Sequence, residues 1–189
     1  MFKVLMVVFS LWMAPGFSSI KGFEIDDKVL LKELHKVSGV DHPDWKELVV
    51  PEVLLDSNAN HGKFLFLSGT GANDLKKYAY IGRVNTCRQG GCSNSSETLN
   101  IETPEYFDYL IVFDSKLLIQ QVKVYNYQAT HGQEVANKGW LKQFQGYDGT
   151  RSLTVGKSID AISGATVSVY SLTVDIQERT RLLTKIVSK

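Results

Sequence analysis

Apolar and aromatic residues are concentrated in four stretches in the middle of the chain, with polar segments between them. These runs predict four β-strands, at Lys63 to Leu67, Tyr78 to Thr86, Tyr106 to Phe113 and Leu117 to Tyr127. Asp114, Ser115 and Lys116 lie between the last two stretches and have the composition of a hairpin turn. We therefore expect these two strands to pair antiparallel.

Three other stretches place apolar residues at helical spacing. They predict helices over residues 24–38, over residues 133–145 with Trp140 and Phe144 facing inward, and from about Val167 to Val187. Between the first helix and the first strand, Pro43 and Pro51 indicate a connector. This order predicts an α+β fold, in which a mainly antiparallel sheet packs with helices and a long helix ends the chain.

Residues 1–18 have the pattern of a signal peptide. Lys3 precedes the apolar run Val4 to Met13, Pro15 ends the run, and Ser18 is a small residue that suits a cleavage site. The run is short for a permanent membrane span. We expect export to the periplasm or another extracytoplasmic compartment, with association with a membrane complex left open. The alternative is a buried N-terminal helix or strand.

Composition fits an ordinary globular protein, with 43% hydrophobic and 22% charged residues. The 21 Lys and Arg residues nearly balance the 20 Asp and Glu residues, and no stretch forms a basic stripe. A nucleic-acid partner is therefore not expected. We divide the chain into the signal peptide, an N-terminal helical segment with its connector over 19–60, and one domain over 61–189.

The only two cysteines of the sequence are Cys87 and Cys92, with two glycines between them. A disulfide is the usual state of such a pair outside the cytoplasm. The alternative is a redox-active pair or a cluster ligand. Neither the histidines nor the carboxylates have the spacing of a metal site.

A short segment before the last helix has the composition of a phosphate site. Asp160 is followed by Ser163, Gly164, Ala165 and Thr166. The small residues leave the Thr166 hydroxyl sterically open where a helix begins, and a helix N-terminus favours a phosphate. The alternative is a plain capping segment in which Ser163 or Thr166 is the N-cap.

The same segment resembles the flavin attachment motif of the FMN-binding domain family. This family includes extracytoplasmic subunits of the sodium-pumping NADH:quinone oxidoreductase and of the Rnf complex. The resemblance covers about residues 75–187, and Thr166 matches the residue that bonds to the FMN phosphate. It implies that a flavin transferase attaches FMN from FAD with Mg²⁺.

The resemblance also implies residues around the flavin. Asp160, Ser163, Gly164 and Ala165 would shape the attachment segment. His131 would be a hydrogen-bond donor to the flavin ring, and Trp140, Tyr125 and Tyr127 would be candidates for an aromatic wall beside it. The alternative is ordinary core and surface packing, which we favour for the two tyrosines.

The chain departs from the larger family members, which often carry a Glu-Thr-Pro-Gly-Leu-Gly stretch after the loop histidine. Here His131 is followed by Gly132, Gln133 and Glu134 instead. We therefore expect a small stand-alone member of the family. The favoured function is that of an electron-transfer protein, rather than an enzyme with its own substrate, between a membrane or extracytoplasmic redox partner and an acceptor. The alternative is a secreted binding module without cofactor, in which residues 163–166 only cap a helix.

Overall fold

One five-stranded antiparallel sheet organises the protein. The computed structural model describes residues 32, 34, 35, 43–54, 62–69, 77–88 and 104–188. The strands are β1 (Pro43–Leu48), β2 (Gly62–Gly69), β3 (Lys77–Arg88), β4 (Pro104–Phe113) and β5 (Ile119–Tyr125). Each strand pairs with its neighbours in sequence, in the order β1-β2-β3-β4-β5. With helices α1 (Lys138–Leu141) and α2 (Thr166–Val187), this arrangement confirms the predicted α+β fold.

The alternation of side chains along the strands produces a core on each face of the sheet. In β3, Tyr80 and Val84 belong to the larger core, which also contains the buried residues of α2. Ala79 and Ile81, which point the opposite way, belong to a smaller core on the other face. The helical residue Leu34, which is completely buried, completes this smaller core.

Helix α2 covers the larger core with one apolar stripe. Val169, Leu172, Ile176 and Leu183 are each 0% exposed, and their spacing places them on one side of the helix. A polar contact fixes the helix against β4, because the Tyr109 hydroxyl donates to Asp175 at 2.5 Å. Arg179, one turn further along, donates to the other oxygen of the same carboxylate at 2.9 Å. Arg179 thus compensates the negative charge of Asp175 at the border of the core.

The structure corrects two of the predicted elements. The predicted connector contains β1, an edge strand whose Trp45, Lys46 and Glu47 are exposed, so its apolar pattern is weak. The predicted helix over 133–145 is interrupted at Asn137, whose backbone is extended. The Asn137 side chain accepts hydrogen bonds from the Gly139 and Trp140 amides and begins the short helix α1 there. Single 3₁₀ turns flank α1 on both sides.

Some sequence predictions fall outside the described residues. These are the signal peptide, most of the helix over 24–38, and Cys92, so the predicted disulfide with Cys87 stays a prediction. Within the described ranges, no helix combines the length and the apolar character that a membrane span requires.

We expect the substitution Tyr109→Phe to lower the free energy of unfolding by about 1.5–3 kcal/mol, because it removes a buried hydrogen bond to a charged group. Urea denaturation measures this change. Tyr170→Phe is the matched control, because Tyr170 lies on α2 and is half exposed. Its effect should stay within about 0.5 kcal/mol. Equal effects of the two substitutions would contradict the role assigned to Tyr109.

Stability should fall as the pH rises above about 10, the ordinary pKa of tyrosine. Burial, and next the charge of Asp175, raise the pKa values of both Tyr80 and Tyr109. The stabilisation is complete below the pKa of the unfolded state and is lost above it, because the unfolded chain releases phenol protons that the folded chain retains. Each of these tyrosines should contribute a slope of about 1.4 kcal/mol per pH unit.

Urea denaturation at several alkaline pH values, with tyrosinate absorbance recorded in parallel, tests this. The two buried tyrosines should ionise only as the protein unfolds. Their ionisation in a protein that keeps its native circular dichroism would contradict the expectation.

Candidate functional site

A cleft of about 280 Å³ lies at the N-terminus of α2. Its walls are Thr86 of β3, Glu105 of β4, residues 130–132 of the loop after β5, and residues 164–168 at the start of α2. The fold therefore brings His131 together with Gly164, Ala165 and Thr166, to which the resemblance assigned roles in flavin binding.

Helix α2 begins without a side-chain cap. Its N-cap position is Ala165, with φ −116° and ψ 21°, and among the described residues no side chain accepts a hydrogen bond from the first-turn amides. The interpretation of Ser163 or Thr166 as the N-cap is therefore wrong. Backbone N–H groups at an uncapped helix start and the positive end of the helix dipole both attract an anion.

The residues around the Thr166 hydroxyl differ in exposure. Thr166 and Ser163 are exposed, whereas Ala165 is only 2% exposed and anchors the segment in the larger core. Gly164 has φ +81°, and no heavy atom lies within 4 Å of the position that a Cβ would occupy there. Glycine meets this backbone conformation without strain, and the open space beside it leaves Thr166 accessible.

The loop that carries His131 is fastened to the first turn of α2. The Tyr127 hydroxyl donates to the His131 carbonyl oxygen at 2.7 Å and lies 3.2 Å from Ser168 Oγ. Burial, as the largest effect, raises the pKa of Tyr127, so the phenol stays protonated at neutral pH. The Tyr127 ring is stacked on Phe107, with the ring planes 5° apart.

Gly132 permits the close approach of this loop to the helix. Its φ is +86°, and a Cβ at this position would lie 2.7 Å from Ser168 Oγ. Neither the conformation nor the space suits a larger residue. On the other side of the cleft, Glu105 is buried and accepts hydrogen bonds from the Thr130 hydroxyl at 2.7 Å and from the Thr130 amide at 3.2 Å.

Asp160 lies on a loop that two side chains hold in place. Trp140 Nε1 donates to the Asp160 carbonyl oxygen at 2.8 Å, and the Asp160 amide donates to Gln143 Oε1 at 2.8 Å. The Asp160 residue itself is exposed. Its backbone is thus fixed while its carboxylate faces solvent.

Two predicted aromatic residues do not reach the cleft. Trp140 is 8% exposed and packs edge-to-face on Phe144, so its contribution is to hold the Asp160 loop. Tyr125 packs against the smaller core, on the opposite face of the sheet. Tyr127 does lie near the cleft, where its hydroxyl joins the His131 loop to α2.

The sequence analysis missed Thr86 and Glu105. Both lie at strand ends, where the register between β3 and β4 shifts between Asn85 and Arg88. Alternation along one strand does not reveal which residues of another strand lie beside it. No signal in the sequence alone therefore joined these two residues to Thr166.

A second, larger groove of about 450 Å³ lies between β3 and α2. Its charged groups include Arg83, which donates to Asp108 at 2.7 Å, and Arg179, which pairs with Asp175 at 2.8 Å. These ion pairs compensate the charges of Arg83 and Arg179 within the fold.

Comparison with known proteins finds one similarity, in the part of the chain that contributes most of the cleft. No curated protein sequence and no solved structure matches the chain significantly. Residues 102–177 match the model of one protein family, described as the FMN-binding domain. The match contains β4, β5, the His131 loop and Thr166, and hence most of the cleft. This part of the chain is therefore similar to the FMN-binding domain.

Proposed function

We propose that the protein carries FMN as a phosphoester on Thr166 and acts as an electron carrier outside the cytoplasm. The observation that carries the proposal is the exposed Thr166 hydroxyl at the uncapped start of α2, at the border of the cleft. It lies within the part of the chain that matches the FMN-binding domain.

The local electrostatics suit a phosphate at Thr166. The amides of the first turn of α2 lack a side-chain acceptor, and an anion near a helix N-terminus is stabilised by about 0.3–1 kcal/mol at an exposed position. A phosphoester at the first residue of the helix keeps its oxygens beside these N–H groups. The residues present therefore fit the phosphate end of FMN.

Attachment by a flavin transferase requires a nucleophile that the enzyme can reach. The Thr166 oxygen forms a bond to the phosphorus of the FMN half of FAD, the bond to the AMP half breaks, and the hydroxyl proton is released. AMP leaves with the bonding electron pair. Exposure of Thr166 and the open space around Gly164 satisfy the steric requirement.

Bound flavin accepts or donates one or two electrons, and the protein has to hold and orient it. Tyr127 and Glu105 fasten the two sides of the His131 loop, and the apolar stripe of α2 fixes the attachment residue. Together these contacts preorganise the cleft.

The signal peptide over 1–18 would deliver the chain to a compartment where a covalent tether prevents loss of the cofactor. A membrane or extracytoplasmic redox partner would then exchange electrons with the flavin. After cleavage, the segment 19–60 would precede the FMN-binding domain over 61–189 in this proposal.

Thr166→Ala should abolish covalent flavin, because it removes the only atom that could form the ester at this position. Stability should change by no more than about 0.5 kcal/mol, since Thr166 is exposed and does not cap α2. Mass spectrometry of the peptide that contains residue 166, after co-expression with a flavin transferase, measures the modification.

The matched control is Thr154→Ala, at another exposed threonine, which should retain full flavin content. Thr166→Ser should retain part of it because the hydroxyl remains. An unmodified wild-type peptide under these conditions would refute the covalent attachment.

Asp160→Ala should lower the rate of flavin attachment about 10-fold, because its carboxylate would help to position the Mg²⁺ that the transferase uses. Loss of a carboxylate in the outer shell of a metal site commonly has an effect of this size. The fold should persist, because Trp140 and Gln143 hold only the backbone of Asp160. Intact mass at limiting transferase gives the rate, and thermal unfolding gives the stability.

Asp160→Asn separates the charge of the side chain from its size, and it should be as slow as Asp160→Ala. A wild-type rate in both variants would show that the carboxylate has no role in attachment.

A further inference from the structure

The hydroxyl of Thr86 is a buried polar group without a partner. Thr86 Oγ1 is shielded from solvent and forms no hydrogen bond with the residues that the structure describes. Burial of a hydroxyl without a compensating hydrogen bond is unfavourable. Such groups are rare in folded proteins, and each one calls for an explanation.

The position of Thr86 connects this group with the cleft. Thr86 lies at the end of β3, where the pairing with β4 shifts register between Asn85 and Arg88. Register shifts of this kind re-aim side chains and are over-represented beside functional sites. Thr86 borders the same cleft as Thr166, which follows it by 80 positions in sequence.

Two other hydroxyl groups of the cleft are already engaged. Thr130 donates its hydroxyl to Glu105 at 2.7 Å, and Ser168 Oγ lies 3.2 Å from the Tyr127 hydroxyl. Thr86 is thus the hydroxyl of the β-sheet wall that retains its full capacity to donate and to accept. A ligand with hydroxyl groups of its own would satisfy it.

The size of the cleft indicates which part of FMN enters it. About 280 Å³ is slightly below the range of about 300–1,000 Å³ that is typical of pockets for whole ligands. With the phosphate on Thr166, the next atoms of FMN are those of the ribityl chain, which carries several hydroxyls. The hydroxyl groups that line the cleft, among them those of Thr86 and Thr130, can form hydrogen bonds with the hydroxyls of this chain.

We infer that Thr86 is a further FMN-binding residue, whose hydroxyl forms a hydrogen bond with the ribityl chain. This inference rests on the proposed function, because it requires the phosphate on Thr166. It assigns to β3 a role in holding the cofactor that the family match, which begins at residue 102, does not cover.

The test compares thermal unfolding of the chain with and without attached flavin. Thr86→Val keeps the shape of the side chain and removes the hydroxyl. Without flavin, the variant should unfold about 3 °C higher than the wild type, because an unsatisfied buried group is gone. With flavin attached, this gain should disappear or change sign, because a hydrogen bond to the cofactor is lost.

Two controls make the comparison specific. Thr86→Ser keeps a hydroxyl and should retain the wild-type response to flavin attachment. Thr180→Val removes a buried hydroxyl that bonds to the Ile176 carbonyl oxygen within α2, and its effect should be the same with and without flavin. Equal shifts of Thr86→Val in the two forms would overturn the inference.

Free flavins test the assignment to the ribityl chain. Riboflavin contains this chain and lumiflavin does not, so only riboflavin affinity should fall in Thr86→Val, by about 3- to 10-fold for one hydrogen bond. An equal loss for both compounds, or no binding of riboflavin to the wild type, would overturn the assignment.

Intact mass of the wild-type chain separates this inference from the proposed function. A wild type without covalent flavin refutes both. Flavin on Thr166, with Thr86→Val indistinguishable from wild type in every comparison, refutes only the role of Thr86.

Discussion

Burial of one face of α2 against the sheet is the constraint on which the rest of the structure depends. The apolar stripe from Val169 to Leu183 fixes the rotation of the helix. The Tyr109–Asp175 hydrogen bond fixes the helix against β4. Because a helix is rigid over this length, these contacts also determine where Thr166 lies. The position of a surface hydroxyl is thus set by the core.

The missing side-chain cap at the start of α2 leaves backbone N–H groups available beside the cleft. A side-chain cap typically stabilises a helix by about 1 kcal/mol, and α2 begins without one at Ala165. The burial along its length is sufficient to keep the helix formed. The amides of its first turn consequently stay available, beside a cleft that Gly132 and Tyr127 hold in shape. Cleft and helix start together form one binding environment.

Much of this arrangement could be predicted from the sequence, and the exceptions share a physical cause. Runs of apolar and aromatic residues identified β2 to β5, because buried residues lie on both faces of the sheet. Helical spacing identified α2, because one side of this helix is buried. The pattern failed at β1, an edge strand with exposed side chains, and at Asn137, whose local cap overrides the apolar spacing. The motif predicted Thr166 as the attachment residue, and this residue borders the cleft. Thr86 entered the cleft only through tertiary structure, as did Glu105, since pairing between distant strands leaves no trace in local periodicity.

The order of the elements along the chain has a consequence for the timing of maturation. Every strand of the sheet precedes Thr166, and the walls of the cleft come from β3, β4, the His131 loop and α2. A ribosome therefore completes the sheet before it reaches the proposed attachment residue. A truncated chain that ends before α2 contains most of the cleft but no acceptor for the flavin. Under the proposed attachment, flavin would mark only molecules whose synthesis has passed the last strand.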